Sequence, residues 1–463
     1  MNEHWQAGVA ALSRAYRDGT TDPIEVTRCL TERIARIDPQ LNAYNRLDPG
    51  LEAAAADSAE RLRTGRARSP LEGVPLAVKD NLAVAGMPAA WGSRVFADTV
   101  CEADELPIAR LRAAGALFIG KTNTPEFAVE GFTASETFGV TGNPWNPALT
   151  PGGSSGGSVA AVAAGLAAAG LGTDGGGSTR RPAGHTGLYG LKPTIGAIPR
   201  AGGLPQVLLD FEVFGTLTRS VEDQRHLFDV LAGPDRRDPV SRFAPRIKAD
   251  GRRLRILYVE TLGDNPCAAA IRASVGAAAH KLADLGHHVE TGAMPFDLDA
   301  LNAFWPKFGQ VGLAYMKATN PRMTKAAAKY LGMAEDGAKV PAAELFAAIE
   351  EVRKLRAAAS AFFGTWDIIM TPSAAAQPWP ADQGFPPEID GIPVGPRGHA
   401  IYTGWVNAAG LPGLNVPAEP DATGMPVGFQ LVGDLFAEET LLDLAAEFEA
   451  AGPGWSFPDL ARA

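Results

Sequence analysis

The sequence PGGSSGGSVAAVAAGLAAAGLGTDGGGSTRRPA fills residues 151–183 and carries two clusters of glycine and serine. The clusters, at residues 152–158 and 175–178, are separated by small apolar residues, which predict a closely packed helix over residues 158–169. Because glycine has no Cβ, such clusters let backbone N–H groups approach a bound anion or oxyanion. A serine beside those donors is well placed as a nucleophile. The packed helix argues against the alternative of a flexible Gly/Ser linker.

Both clusters resemble the signature of the amidase signature family, serine hydrolases that cleave amide bonds with a Ser–Ser–Lys triad. Residues 73–81 (GVPLAVKDN) resemble the family's lysine segment, and residues 426–433 (PVGFQLVG) extend the resemblance over most of the chain. Separate motifs in the family's order make the match specific. The resemblance implies an α/β fold in a single large domain, with a many-stranded mixed β-sheet covered by helices.

The same resemblance implies catalytic roles. Ser178 would be the nucleophile, Ser154 the bridging serine, and Lys79 the base at the end of the proton relay. It further implies a cis peptide bond between Gly153 and Ser154. The oxyanion hole would be formed by the N–H groups of Gly175, Gly176, Gly177 and Ser178.

Serine nucleophiles are usually activated by histidine, and no histidine here lies in a motif that marks a catalytic base. The histidines are His4, His185, His226, His280, His287, His288 and His399. A buried lysine can serve instead, because desolvation lowers its pKa toward neutrality. Lys79 follows the apolar residues 75–78, which we expect to form a strand. The structural alternative is an ordinary lysine paired with Asp80.

Other polar residues of the signature region have structural interpretations. We expect Ser158 to cap or pack at the helix start and Ser155 to bond near the bridging serine. Asp174 is expected to orient backbone donors of the glycine loop, with a plain turn residue as the alternative. Arg180 matches an arginine common in the family motif and is expected to be structural.

Arg181 lies three residues after Ser178 and is variable in the family. We expect it in the substrate pocket, where its guanidinium could bind a substrate carboxylate bidentately. The alternative is an ion pair with Asp174 or Glu212. A bulky apolar acyl group is the competing prediction if aromatic residues line the pocket, namely Phe304, Trp305, Phe308, Trp379 and Trp405.

Residues 115–122 satisfy the P-loop pattern G-x-x-x-x-G-K-T letter for letter. Their middle residues, Ala-Leu-Phe-Ile, are bulky and apolar, and they predict a strand where a phosphate-binding loop should be. A helix is expected before this segment, over residues 106–114, and not after it. We therefore do not expect nucleotide binding, and we interpret Lys121 as structural.

Composition narrows the class of protein further. The 463 residues are 46% hydrophobic and 20% charged, which is typical of a globular protein. A net charge of −10 without a basic run argues against nucleic acid as a partner. We find no signal peptide and no apolar stretch long enough to span a membrane. The expected partner is a small-molecule amide substrate, and a homodimer is compatible with the sequence.

Cysteine usage indicates the compartment. Cys29, Cys101 and Cys267 match neither a disulfide framework nor a zinc pattern. We expect them to be thiols in a reducing environment, which predicts a cytoplasmic location. No motif indicates a metal or another cofactor.

We divide the single domain of residues 1–463 into N-terminal helices at about 1–65, a signature core at about 66–235 and a C-terminal part at about 236–463. The C-terminal part contains a helical excursion over residues 300–365 and, before it, a βαβ unit over residues 254–290. Other predicted elements are helices over residues 5–17, 23–37, 51–63, 217–231 and 438–450, and strands over residues 413–417 and 427–432.

These patterns favour an amidohydrolase that cleaves a carboxylic amide through an acyl-enzyme on Ser178, and they leave two alternatives. The amidase subunit of a tRNA-dependent amidotransferase would need partner subunits; residues 203–211 (GLPQVLLDF) depart from the serine-led Leu-Asp-Gln pattern expected there. An α/β-hydrolase-type esterase would use the G-x-S-x-G pattern at residues 152–156, with Ser154 as nucleophile and His399 as the late histidine. A non-catalytic binding module would leave both glycine clusters unexplained.

Overall fold

The structure is a computed structural model that describes residues 4–462. Its helices are α1 (Val9–Arg17), α2 (Pro23–Ile37), α3 (Leu51–Arg63), α4 (Leu106–Ala113), α5 (Gly156–Ala163), α6 (Arg180–Thr186), α7 (Val221–Leu231), α8 (Ala269–Asp284), α9 (Asp299–Thr319), α10 (Ala328–Gly337), α11 (Ala342–Phe362), α12 (Gly404–Ala409), α13 (Glu438–Ala450) and α14 (Asp459–Arg462). Its strands are β1 (Tyr44–Leu47), β2 (Pro75–Lys79), β3 (Leu117–Thr122), β4 (Ala134–Ser135), β5 (Gly139–Val140), β6 (Ala169–Asp174), β7 (Tyr189–Lys192), β8 (Val213–Thr218), β9 (Arg255–Tyr258), β10 (His288–Thr291), β11 (Ile368–Pro372), β12 (Glu388–Ile389), β13 (Ile392–Pro393), β14 (Gly413–Pro417) and β15 (Gly428–Gly433).

A mixed β-sheet of 11 strands organises the molecule, in the order β1-β3-β2-β6-β8-β7-β14-β15-β11-β9-β10. Strand β2 runs parallel to β3 and β6, and β9 runs parallel to β10 and β11. The other neighbouring pairs are antiparallel. The central strands β6, β7 and β8 are buried along their whole length, and α5, α6 and α7 pack on them. The predicted fold, one large α/β domain with a many-stranded mixed sheet, is confirmed.

The N-terminal helices form where capping signals place them. Asp22 caps α2 by accepting a hydrogen bond from the backbone N–H of Glu25 at 2.9 Å, and Pro23 occupies its first turn. Helix α3 has the predicted bounds. The helix expected over residues 5–17 is shorter, because Gly8 separates a 3₁₀ turn from α1, which begins at Val9.

The helix expected over residues 158–169 was wrong in its second half. Helix α5 ends at Ala163, since Gly165 adopts a positive φ of 67° and turns the chain. Residues Ala169–Asp174 then form β6, which pairs with β2 on one side and β8 on the other. Alanine and glycine favour no strand by themselves, so pairing in the sheet centre determines this segment.

The helix expected over residues 217–231 begins later than predicted. Leu217 and Thr218 belong to β8, where alternating β-branched and aromatic residues favour a strand. Helix α7 starts at Val221, after Ser220 accepts a hydrogen bond from the backbone N–H of Asp223 at 3.2 Å.

Glycines in the central strands set how closely the signature segments approach the sheet. A Cβ added at Gly172 in β6 would lie 2.7 Å from Oγ of Ser155. One added at Gly215 in β8 would lie 2.4 Å from Oγ1 of Thr179. Both separations are shorter than a van der Waals contact, so the absence of a side chain at each position is a packing requirement.

The C-terminal half extends the same sheet. Strands β9 and β10 run parallel with α8 between them, which confirms the predicted βαβ unit. Helices α9, α10 and α11 follow between residues 299 and 362, before the chain returns to the sheet as β11. The inner face of α11, with Val352, Leu355 and Ala359 buried, belongs to the core as its spacing predicts.

Candidate active site

Lys79 is the last residue of β2 and is fully buried. Its Nζ donates to Oγ of Ser154 at 2.8 Å, to Oγ1 of Thr173 at 3.0 Å and to the carbonyl oxygen of Thr173 at 3.3 Å. Asn81 also donates to Oγ1 of Thr173, at 2.9 Å. The parallel pairing of β2 with β6 brings these groups together, although they are far apart in sequence.

The proton affinity of Lys79 follows from this surrounding. Burial lowers the pKa of Lys79 to about 7, and the negative charges of Glu212 and Asp174 oppose the shift without cancelling it. The alternative pairing with Asp80 is not formed within the described residues, since the Asp80 carboxylate accepts from the backbone N–H groups of Ala90 and Gly92.

Ser154 lies in the turn that leads into α5, and its peptide bond with Gly153 is cis, as the resemblance implies. The next residue, Ser155, donates its backbone N–H to the carbonyl oxygen of Ser178 at 3.2 Å. The two glycine clusters are therefore in direct contact. Ser178 is 7% exposed, so a substrate could reach it only through a narrow opening.

Asp174 organises the glycine loop that precedes Ser178. Its carboxylate accepts from the N–H of Gly177 at 2.6 Å and of Thr179 at 3.0 Å, which confirms the predicted orienting role. Arg180 forms a buried two-point ion pair with it, at 2.9 and 3.0 Å. Burial alone would raise the pKa of Asp174, but the charge and hydrogen bonds of Arg180 hold it well below its usual range.

Arg180 therefore has the structural role that the motif predicts. Besides Asp174, its guanidinium donates to the side chains of Gln430 and Asn407 and to the carbonyl oxygen of Thr403. Each acceptor comes from the C-terminal half of the chain. The ion pair thus ties the glycine loop to β15 and α12.

Arg181 is buried, and its guanidinium contacts the backbone around both serines. It donates to the carbonyl oxygen of Gly176, to Oγ1 of Thr403 at 2.8 Å and to the carbonyl oxygen of Gly153 at 3.4 Å. Among the ion pairs of residues 4–462, none joins Arg181 to Asp174 or Glu212. Burial, and then the charge of Arg397, lower the pKa of Arg181 to about 9.

The remaining serines of the signature are structural, as expected. Oγ of Ser158 bonds with Oγ1 of Thr122 at 2.6 Å and donates to the carbonyl oxygen of Leu171 at 2.9 Å. Oγ of Ser155 donates to the carbonyl oxygen of Thr173 at 3.3 Å. Both side chains fix α5 against the sheet.

The P-loop pattern forms no phosphate-binding loop. Residues Leu117–Thr122 are β3, and Lys121 is buried with its Nζ donating to the carbonyl oxygen of Leu82. The residues after β3 do not open a helix, because Glu126–Ala128 is a short 3₁₀ turn. Lys121 is structural, as the sequence predicts.

His399 does not meet the requirement of the esterase alternative. It is buried against Trp379, with ring centroids 4.7 Å apart, and neither ring nitrogen has a hydrogen-bond partner among the described residues. Burial lowers its pKa well below the usual value. The hydrogen-bond partner of Ser154 is Lys79 and not His399.

The aromatic residues suggested for the pocket occupy different places. Trp305 lies against the glycine loop, since a Cβ added at Gly176 would lie 3.0 Å from its Cζ2 atom. Trp379 packs on His399, whereas Trp405 packs on Phe296 in the core. Phe304 and Phe308 are buried against each other in α9.

Sequence reasoning missed several residues of this region: Thr173, Arg397, Thr403, Asn407 and Gln430. Thr173 could have been suspected, because it directly precedes Asp174 at the end of the predicted signature loop. The others lie in the C-terminal half and carry no local pattern that points to residues 153–181.

Other features of the described residues give no competing site. A cavity of about 250 Å³, lined by Trp145, Tyr189, Phe448 and Trp455 among others, contains none of the predicted catalytic residues. Within residues 4–462 we find no cluster of three or more His, Cys, Asp or Glu side chains that could hold a metal ion. No helix in this range has the length and apolar character needed to cross a membrane.

Comparison with known proteins agrees with this geometry. A family model described as Amidase matches residues 25–442. A subunit of the glutamyl-tRNA(Gln) amidotransferase of Symbiobacterium thermophilum is 35% identical over 480 residues, covering 95% of this chain and 96% of that protein. The acylamidase of Rhodococcus erythropolis is 31% identical over 487 residues, covering 98% and 97%.

Among solved structures, a bacterial aryl acylamidase of the amidase signature enzymes matches with a TM-score of 0.89 and 29% identity. The match covers 99% of this chain and 98% of that one. Family, sequence relatives and structure agree over nearly the whole length. The chain is an enzyme of the amidase signature family.

Proposed function

We propose that this enzyme hydrolyses a carboxylic amide through an acyl-enzyme on Ser178, with Ser154 and Lys79 as the proton relay. The observation that carries the proposal is the 2.8 Å hydrogen bond between Nζ of Lys79 and Oγ of Ser154 in a fully buried surrounding. Burial favours the neutral amine, which is the form that accepts a proton.

In the first half-reaction, Oγ of Ser178 attacks the amide carbonyl carbon while its proton passes to Ser154, whose own proton passes to Lys79. The C–N bond then breaks, and the protonated lysine returns the proton through Ser154 to the leaving amine. In the second half-reaction, water attacks the ester carbonyl and loses its proton to the same relay. Ser178 leaves as the alcohol, and the carboxylic acid is released.

The oxyanion of each tetrahedral intermediate needs backbone donors, and the proposal assigns them to the loop before Ser178. The N–H groups of Gly175, Gly176 and Ser178 have no acceptor among the described residues. The N–H of Gly177 donates to Asp174, so we assign Gly177 to shaping the loop, where its φ of 110° suits glycine. Arg181 would contribute positive charge to the pocket while its direct contacts hold backbone carbonyls.

The amidase subunit of a tRNA-dependent amidotransferase is the second candidate, favoured by the 35% identity with such an amidotransferase component. Against it, residues 203–211 lack the expected Leu-Asp-Gln pattern. In this structure Leu208 of that segment lies against the glycine loop, since a Cβ at Gly175 would lie 2.6 Å from its Cδ1 atom. Amide hydrolysis by the purified chain without partners, together with gel filtration, separates the two functions.

We further propose a cytoplasmic enzyme that acts on a small-molecule amide, alone or as a homodimer. The support is the absence of a disulfide within residues 4–462 and the lack of a basic surface run in the sequence. The divisions near residues 65 and 235 remain predictions within this single domain.

The test of the main proposal is covalent labelling. Intact-mass analysis and peptide mapping after treatment with a fluorophosphonate should place one adduct on Ser178, and Ser178→Ala should remove it. An adduct on Ser154 would instead support the esterase mechanism. A chain that neither reacts nor hydrolyses any amide without partners would point to the role in a tRNA-dependent amidotransferase.

A further inference from the structure

Two arginine side chains lie beside the glycine loop without a carboxylate to balance them. Arg181 is buried and bonds only backbone carbonyls and a hydroxyl, and its Nε has no partner. Arg397 is half-buried, and within the described part of the chain its guanidinium has neither a hydrogen-bond acceptor nor an ion pair. Burying like charges without a counter-charge is unfavourable, so such an arrangement suits an anion that arrives with the substrate.

Trp305 places Arg397 next to the glycine loop. The guanidinium carbon of Arg397 lies 5.4 Å from the centre of the Trp305 ring. The edge of the same ring faces Gly176, where an added Cβ would lie 3.0 Å from Cζ2. A Cβ added at Gly404 would lie 3.2 Å from Cζ2 of Trp305 and 3.4 Å from Nη2 of Arg397. These contacts form a continuous path from the loop before Ser178 to the charge of Arg397.

The geometry of Trp305 also leaves the polar edge of Arg397 available. Trp305 is stacked on Phe211, with ring centroids 5.8 Å apart and 15° between the planes, so its orientation is fixed by packing. A guanidinium held near a ring keeps its N–H groups at its periphery, where a carboxylate can accept two of them. Arg181 differs, because carbonyl and hydroxyl oxygens already occupy its Nη atoms.

We propose that Arg397 binds a carboxylate at the end of the substrate remote from the scissile amide, and that Arg181 strengthens this site through its charge. The inference rests on the proposed amidase function and deepens it, since it names the substrate class as half-amides of dicarboxylic acids. Arg181 is then a positioning residue, which holds the carbonyl groups of Gly176 and Gly153.

The experiment compares pairs of substrates that differ only in charge: malonamate, succinamate, glutaramate and adipamate against the uncharged diamides of the same lengths. Ammonia release gives kcat/KM, and calorimetric titration of the Ser178→Ala variant gives Kd without turnover. For at least one length, we expect the half-amide to be preferred over its diamide by about tenfold or more in both measurements.

Variants assign that preference to Arg397. Arg397→Met should remove the preference while leaving kcat/KM on the diamide nearly unchanged, and Arg397→Lys should retain part of it. Arg353→Met, on the exposed side of α11, is the matched control and should keep the full preference. Arg181→Met should lower kcat on both substrates alike, because it acts on the loop and not on the carboxylate.

Two results would overturn the inference: diamides that bind and react as well as half-amides at every length, or an Arg397→Met variant that weakens both classes equally. Fluorophosphonate labelling of Ser178 is run in parallel. If labelling succeeds and no half-amide preference exists, only the carboxylate site is wrong. If Ser178 does not react, the proposed function itself fails.

Discussion

Two buried lysines at the ends of neighbouring parallel strands have different surroundings. Lys79 ends β2 and Lys121 lies near the end of β3, where the register pairs it with Val78. Both are fully buried, and burial lowers the pKa of both. Lys79 contacts the hydroxyl groups of Ser154 and Thr173, whereas Lys121 donates to a backbone carbonyl and lies near the charge of Asp80.

The comparison shows that burial alone does not make a lysine a catalytic base. A proton can leave Lys121 only by exposing a carbonyl and a carboxyl group to an uncharged amine, and no hydroxyl is there to exchange it with. Lys192 makes the same point, because burial lowers its pKa to about 7 while its Nζ donates to the carbonyl oxygen of Pro193. A hydroxyl that can pass a proton onward distinguishes Lys79 from both.

The largest effect should come from replacing each strand-end lysine in turn. Lys79→Ala removes the proposed base and should lower kcat/KM by about 100- to 10,000-fold. Lys121→Met should keep activity but lower the melting temperature, because the carbonyl of Leu82 loses its donor, at a cost of about 1–3 kcal/mol. An active Lys79→Ala variant together with an inactive His399→Ala variant would reverse this assignment.

The second prediction concerns pH. With the pKa of Lys79 lowered to about 7, the neutral base predominates above that pH. We expect kcat/KM to rise about tenfold per pH unit below the pKa and to level off above it. Lys192→Met should leave this limb in place, although the pKa of Lys192 is also about 7. A limb that disappears with Lys192 would give the base to the wrong lysine.

A smaller effect should follow from removing one hydroxyl beside Lys79. Thr173→Val keeps the shape of the side chain but leaves Nζ without the 3.0 Å partner, and we expect kcat/KM to fall by about tenfold. Thr173→Ser retains the hydroxyl and is the control. Equal rates for both variants would show that the carbonyl of Thr173 and Ser154 suffice to orient the lysine.

The smallest effect is expected at His399. Burial keeps it neutral, and neither ring nitrogen has a partner within the described residues, so His399→Ala should change kcat/KM by less than about threefold. Rates on an uncharged aryl amide provide the measurement. A loss comparable to that of Lys79→Ala would restore histidine as a candidate base.

Local signals in the sequence predict much of the fold. The bounds of α2, α3, β14 and α13 follow from caps, proline positions and hydrophobic spacing. Strand β6 could not be predicted this way, because Ala-Gly-Leu-Gly-Thr-Asp has no strand pattern and becomes a strand only between β2 and β8. Segment identity there depends on tertiary pairing.

The candidate site shows the same division. Lys79, Ser154 and Ser178 could be proposed from motifs that are continuous in sequence. Arg397 and Thr403 could not, because only the folded chain brings the segment before α12 next to the glycine loop. Position alone also failed to show that the N–H of Gly177 is taken by Asp174.

The close approach of α5 and the Thr179 segment to the sheet has a consequence for engineering. An added methyl group at Gly172 or Gly215 would meet a hydroxyl oxygen at 2.7 or 2.4 Å, so most library members carrying a change there would be discarded as misfolded. Diversity is better placed at residues 304–308 and 397–404, which face the loop from the other half of the chain. A selection for new amides that varies only those segments would explore the pocket while leaving the reaction centre in register.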